Sequence, residues 1–164
     1  MEMSAWAALL FLPPVLPICI WVAWNDMKYM KIPNKAVLAL FAVFLAIGPL
    51  ALPLAEIPQR LLQLVVVLAA GFALNMLGSL GAGDAKFAAA AAPFIAPGDL
   101  PLLFYLLAAV LLAAVATHRL ARRLKPLRAL APDWQSWTRS DFPMGLALGG
   151  TLAFYLVAAA LAGR

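Results

Sequence analysis

Apolar residues fall along this chain in long, nearly unbroken runs. Five runs stand out, at about 4–24, 35–55, 59–80, 100–118 and 143–162. Each is close to the roughly 20 residues that a helix needs to cross the hydrocarbon of a bilayer. A sixth, "AKFAAAAAPFIAP" at 85–97, is shorter and rich in alanine, and its length alone would also suit a re-entrant segment. Polar positions gather in short gaps and in one long one, 119–142. The pattern predicts an all-α membrane protein. Pro13, Pro14 and Pro17 lie inside the first run and predict a kink or local irregularity there.

Charge decides the status of the sixth run. If 85–97 crosses, the gaps alternate cleanly. One side then holds Lys28, Lys31, Lys35, Lys86, Arg119, Arg122, Arg123, Lys125, Arg128 and Arg139, and the other only Arg60 and Arg164. Ten cations against two assigns the first side to the cytoplasm by the positive-inside rule. Without the short span, the six cations from 119 to 139 fall outside. The expectation is therefore six transmembrane helices with both termini non-cytoplasmic. The gap "RLARRLKPLRALAPDWQSW" interleaves basic residues with leucine and ends in tryptophans. It reads as a positive-inside loop with aromatic anchors, or as an interfacial helix gripping anionic membrane lipids.

Composition agrees. Of 164 residues, 66% are hydrophobic and 12% charged, against about 25% charged in a soluble domain. The length suits one bundle, 1–164, with no second folded domain. Glu2 and the lack of a basic start argue against a cleavable signal, so the first run reads as a permanent span. Cys19 is the only cysteine and His118 the only histidine. No disulfide and no Cys- or His-based metal site can form within one chain, and we expect no metal, no cofactor and no nucleic-acid partner.

Two polar motifs interrupt this pattern, "NDMKYMKIPN" at 25–34 and "GAGDAK" at 81–86. In the six-span arrangement Asp26 and Asp84 lie at the same cytoplasmic boundary, on helices that could be neighbours. A lone boundary aspartate is an ordinary interfacial charge. Two at matched depth can share a proton, because like charges held close do not both ionise. One member can then take a proton from water while the other donates to a carbonyl oxygen. Gly81 and Gly83 carry no side chain, so a substrate backbone could approach Asp84 and pair with a strand-like segment. Lys86 adds positive potential near the pair or snorkels to the headgroups. Pro33 reads as an extended turn and Asn34 as an N-cap of the second span.

With these residues in view, "GAGDAK" resembles the Gly-x-Gly-Asp signature of the type IV prepilin peptidases, which are membrane-embedded aspartic leader peptidases. "DMKYMKIPN" is similar to the basic Ile-Pro-Asn stretch after the first span in the small, single-domain CpaA/TadV-type branch, with Asp26, Lys28, Lys31, Ile32, Pro33 and Asn34 fitting. Met30 departs where a basic residue is common. "FPMGLALGG" at 142–150, with Pro143 and Gly145, resembles the last span of that family. The resemblance implies that Asp26 and Asp84 are the catalytic pair. It implies a bacterial inner-membrane enzyme that removes the short basic leader of a prepilin or pseudopilin before pilus or secretion-system assembly. The bifunctional members also N-methylate the new terminus and carry paired Cys-x-x-Cys motifs in an inserted domain. Here the 25–35 gap is short and no such motif exists, so no methyltransferase activity is expected. Two other readings fit the residues alone: a small proton-coupled transporter using the two aspartates, and a non-catalytic assembly subunit.

Overall fold

Ser4 opens the first helix, its Oγ accepting the amide of Ala7 at 3.2 Å, and α1 runs from Ala5 to Tyr29. It continues as a single helix through Pro13, Pro14 and Pro17. One stripe of α1 is buried, at Ala7, Phe11, Val15, Cys19, Val22 and Asp26. Steps of three and four place these residues on one helix face. That face meets α7, Met144–Ala162, along Gly145, Gly149, Leu152, Leu156 and Ala159. The glycines permit the contact: a Cβ on Gly149 would stand 2.9 Å from the carbonyl oxygen of Cys19. Small residues four apart let membrane helices approach backbone to backbone, which counts because lipid supplies no hydrophobic drive between helices.

The computed structural model describes residues 1–163, which are helical with no strand among them. Arg164, placed on the sparsely charged side above, lies outside the described residues. α2, Asn34–Ala51, also packs on α1 and buries Ala36, Leu40, Phe44 and Gly48. α3, Ile57–Met76, lies against α4, Ala82–Ala91, where a Cβ on Gly71 would come within 2.8 Å of the Ala85 Cβ. α5, Leu100–Arg123, packs mainly on α7 and leaves most of its apolar surface outward. α6 is a single short helix, Lys125–Leu130.

Five of these helices are long and apolar enough to cross a membrane. The chain is thus a multi-pass membrane protein. The expected sixth crossing is a different object: α4 has 10 residues and is extended by a 3-10 turn over Ala92–Phe94. It still travels the bundle from end to end. It starts beside Asp26 and leads to Asp99, which accepts the amides of Glu2 at 2.8 Å and Met3 at 3.1 Å, just ahead of α1. Tyr155 of α7 joins that far end, donating to Asp99 at 2.8 Å and accepting from the Ala96 amide at 3.0 Å. Phe94 wedges between Phe11 and Phe44, with ring centroids 4.9 and 5.5 Å away in edge-to-face geometry. Such aromatic pairs add about 0.5–1.5 kcal/mol each, and they tie the short segment to α1 and α2.

Helix ends differ from the sequence expectation in several places. α1 runs on past 24 to Tyr29, so Asp26 and Lys28 lie in the helix and not in the gap after it. α2 stops at Ala51 rather than near 55. α3 stops at Met76 rather than near 80, because Gly78 turns the chain at φ 71°, a conformation open to glycine. α5 runs past 118 to Arg123, so Arg119, Arg122 and Arg123 of the expected gap are helical. Beyond Arg123 the 119–142 stretch is helical only over α6, with Pro126 in its first turn and Pro132 just past its end, and over a 3-10 turn at Gln135–Trp137. Its tryptophans pack on protein: Trp134 meets Trp24 at 5.1 Å, and Trp137 stacks on the His118 ring at 5.4 Å.

Candidate active site

Asp26 lies one turn before the end of α1 and is 5% exposed. Met30 closes that helix in the left-handed region, φ 52°, and its amide donates to the Asp26 carbonyl at 2.8 Å. Across the α1–α7 contact, the Gly145 amide donates to Asp26 Oδ2 at 2.6 Å. Pro143 is the N-cap of α7 and is fully buried, so Gly145 falls in the first turn, where amides lack intrahelical acceptors and the helix dipole attracts an anion. A Cβ on Gly145 would stand 2.9 Å from the Asp26 Cβ. The contact requires glycine.

Asp84 enters from the α3–α4 turn. Asn75 Nδ2 donates to the Leu80 carbonyl at 2.7 Å and holds that turn. Gly81 is extended, φ −66° and ψ 141°, and caps α4, which starts at Ala82. The expected strand-like segment is therefore absent: Gly83 and Asp84 occupy the first helical turn. Three residues past the cap, the Asp84 side chain folds back over Gly81, and a Cβ there would stand 2.5 Å from Asp84 Oδ2. An acidic residue in the first turn complements the helix dipole, which explains why the helix begins so early. Gly83 faces Ile32, whose Cβ would be 3.3 Å from an added methyl. Both glycines are thus explained by packing around Asp84 and Ile32. The Asp84 carboxyl is pushed up to about 6, first by burial and then by the charge of Asp26, with the Gly81 backbone opposing.

Both aspartates line one cavity of about 740 Å³, open at this end of the bundle. Lys31, Gly81 and Gly83 line it too. Met30 and Ile32 of the first motif are also in the lining, and the other residues singled out in the sequence are not. Lys28 lies over the Tyr29 ring at 5.1 Å. Pro33, not Asn34, is the N-cap of α2; Asn34 is the first helical residue, and its Oδ1 accepts from Lys86 Nζ at 3.3 Å. Gly145 touches Asp26 through its amide, and Pro143 is the buried N-cap of the same helix.

Sequence reasoning gave no role to Asn75, Arg139, Asp141, Phe142 and Met144, which are also in the lining. Nothing in the sequence ties 139–142 to this cavity, because the approach depends on how α7 docks. The Gly145-x-x-x-Gly149 spacing is a readable sign of that docking. His118 is buried against Trp137 and Phe142 and does not line the cavity.

Two carboxyls at one cavity, each at the edge of a membrane-sized bundle, define a membrane protein with a paired-aspartate site. The family model for the type IV leader peptidase family matches residues 15–117, which is more than half of the chain and includes both aspartates. The chain belongs to the type IV leader peptidase family, and so to a family of peptidases. No match was found among curated proteins or among solved structures. The match ends before α7, so Gly145 and the 139–142 stretch lie beyond it.

Proposed function

We propose that this chain is a single-domain, membrane-embedded aspartic endopeptidase that removes the basic leader of a prepilin or pseudopilin at the cytoplasmic face of the bacterial inner membrane. The observation that carries the reading is the convergence of Asp26 and Asp84 on one cavity. The ten-to-two cation asymmetry supports six crossings with non-cytoplasmic termini, and with them a cavity at the cytoplasmic boundary. The resemblance of 26–34 to the small CpaA/TadV-type branch, and the absence of a Cys-x-x-Cys pair, support cleavage without N-methylation.

In the reaction, a water sits between the carboxyls. Asp26, held by the Gly145 amide, takes a proton from that water as its oxygen attacks the scissile carbonyl carbon. Asp84, whose proton is retained up to about pH 6, donates to the carbonyl oxygen. When the gem-diol intermediate collapses, the C–N bond breaks, the proton on Asp26 passes to the leaving amine, and one hydroxyl of the intermediate returns its proton to Asp84 as the product carboxyl forms. The pair then again holds one proton and titrates as a unit. Substrate binding dries the cavity further, which favours the protonated acid.

Co-expression with prepilins of the same cell, read as a mobility shift on leader loss, tests the proposal. Wild type should shift a prepilin, and Asp26→Asn or Asp84→Asn should not. Undiminished processing by either variant would refute the aspartate mechanism. A proton-coupled carrier or an assembly subunit would show no aspartate-dependent cleavage at all.

A further inference from the structure

The cavity holds a third carboxylate that the proton-sharing chemistry leaves unused. Asp141 lines it beside Arg139, and the two form an ion pair, Arg139 Nη2 to Asp141 Oδ2 at 2.6 Å. Ser140 Oγ donates to the other Asp141 oxygen at 3.3 Å, and Arg122 Nη1 donates to the Arg139 carbonyl at 3.1 Å. Asp141 also sits at a fixed offset from the dyad. Two residues on, Pro143 is fully buried, and two further on, Gly145 holds Asp26. The ion pair itself is open to solvent, its side chains 50% and 58% exposed. Exposed pairs contribute little to stability and exchange partners readily.

The surrounding charge is of the opposite sign. Lys31 and Arg139 line the cavity, and Lys28, Lys35 and Lys86 stand on the same end of the bundle. Against those cations the cavity sets three carboxyls, Asp26, Asp84 and Asp141; the first two are committed to the reaction, which leaves Asp141, whose carboxylate already carries a guanidinium. We propose that Asp141 is the specificity residue for the leader: it accepts a lysine or arginine side chain on the leader side of the scissile bond, and Arg139 holds that place until substrate displaces it. The inference rests on the leader-peptidase reading above and deepens it. It names a cationic side chain as the recognised group and a residue outside the dyad as its partner.

The test uses the full chain reconstituted in lipid vesicles with a prepilin that it cleaves, and with the same prepilin whose leader lysines and arginines are replaced by glutamine. Asp141→Asn should raise KM for the basic leader about tenfold, one charge-assisted contact's worth, with kcat little changed. It should make no difference on the neutral leader. Arg139→Gln should lower KM for the basic leader, because the internal competitor is gone. Asp141→Lys should recover cleavage when one basic leader residue is replaced by glutamate. A KM unchanged in Asp141→Asn, or raised equally for both leaders, overturns the assignment while leaving the peptidase reading intact. Failure of wild type to cleave any prepilin, with Asp26→Asn indistinguishable from it, overturns the peptidase reading and this inference with it. Retained kcat in the same variants separates recognition from misfolding.

Discussion

The Gly145 amide and the Asp26 carboxylate meet at 2.6 Å across the contact between the first and last helices. That single hydrogen bond joins the chain's two ends at the site, and it exists because position 145 has no side chain. Gly145→Ala places a methyl 2.9 Å from the Asp26 Cβ and 3.0 Å from its Oδ2. Since neither helix has slack there, we expect a loss of about 1–3 kcal/mol of stability from overpacking and a larger loss of cleavage. Thermal melts in detergent and a prepilin shift assay on the folded fraction separate the two. Wild-type activity in Gly145→Ala would mean that Asp26 needs no support from α7.

Gly81 and Gly78 make an informative pair. In Gly81→Ala the new methyl collides with Asp84 Oδ2 at 2.5 Å, so the carboxyl must swing away and cleavage should fall about a hundredfold or more, in the range set by loss of one acid–base partner. Gly78 has φ 71° and open space around its Cβ position. Gly78→Ala should therefore cost about 1 kcal/mol of conformational strain and leave the activity of the folded protein nearly intact. Equal activity losses in the two variants would show that the turn as a whole, and not the Asp84 geometry, is what matters.

Much of this site is legible in the amino-acid sequence. Two aspartates in Gly- and Pro-punctuated gaps, at matched positions in a charge-alternating span pattern, point to Asp26 and Asp84. Runs of apolar residues mark five of the helices, because a bilayer imposes a length. What the sequence does not disclose depends on packing between elements distant along the chain. The contact of Gly145 with Asp26 follows from α7 lying on α1, and the place of Asp141 at the cavity from the same docking. The anchor of Asp99 on Glu2, Met3 and Tyr155 joins three segments that share no local pattern. The start of α4 departs from expectation because Gly-x-Gly suggests extended chain, whereas an acid three residues past a glycine cap suits a helix N-terminus.

Replacing either aspartate should be nearly as damaging as replacing both. Asp26→Asn and Asp84→Asn each remove a proton that the cycle must pass, and each should reduce cleavage by more than about 10³-fold, toward the upper range for acid–base groups. The double variant should be barely slower, because the two act as one unit. Multiplicative losses in the double variant would indicate two independent roles.

The last prediction uses the position of Asp84 on the pH scale. Burial is the first cause of its elevation to about 6, and the Asp26 charge the second. Asp26→Asn removes only the second. The Asp84 carboxyl, followed by its infrared stretch, should therefore titrate lower than in wild type yet remain above 3.8, because burial persists. Stability follows with a definite sign. A carboxyl whose folded value lies above its unfolded value binds its proton more tightly when folded, so ionising it in place opposes folding. That penalty is absent below about pH 3.8, grows between there and about pH 6, and is fully present above. Asp84→Asn removes it, so the inactive variant should melt a few degrees higher than wild type at pH 7.5. At pH 4 the two should melt together. The carboxyl is partly solvated, so the shift is modest, but its direction is fixed. A variant less stable than wild type at pH 7.5 would mean that Asp84 makes a favourable ionic contact in the folded protein, and the proton-holding role assigned to it would fall.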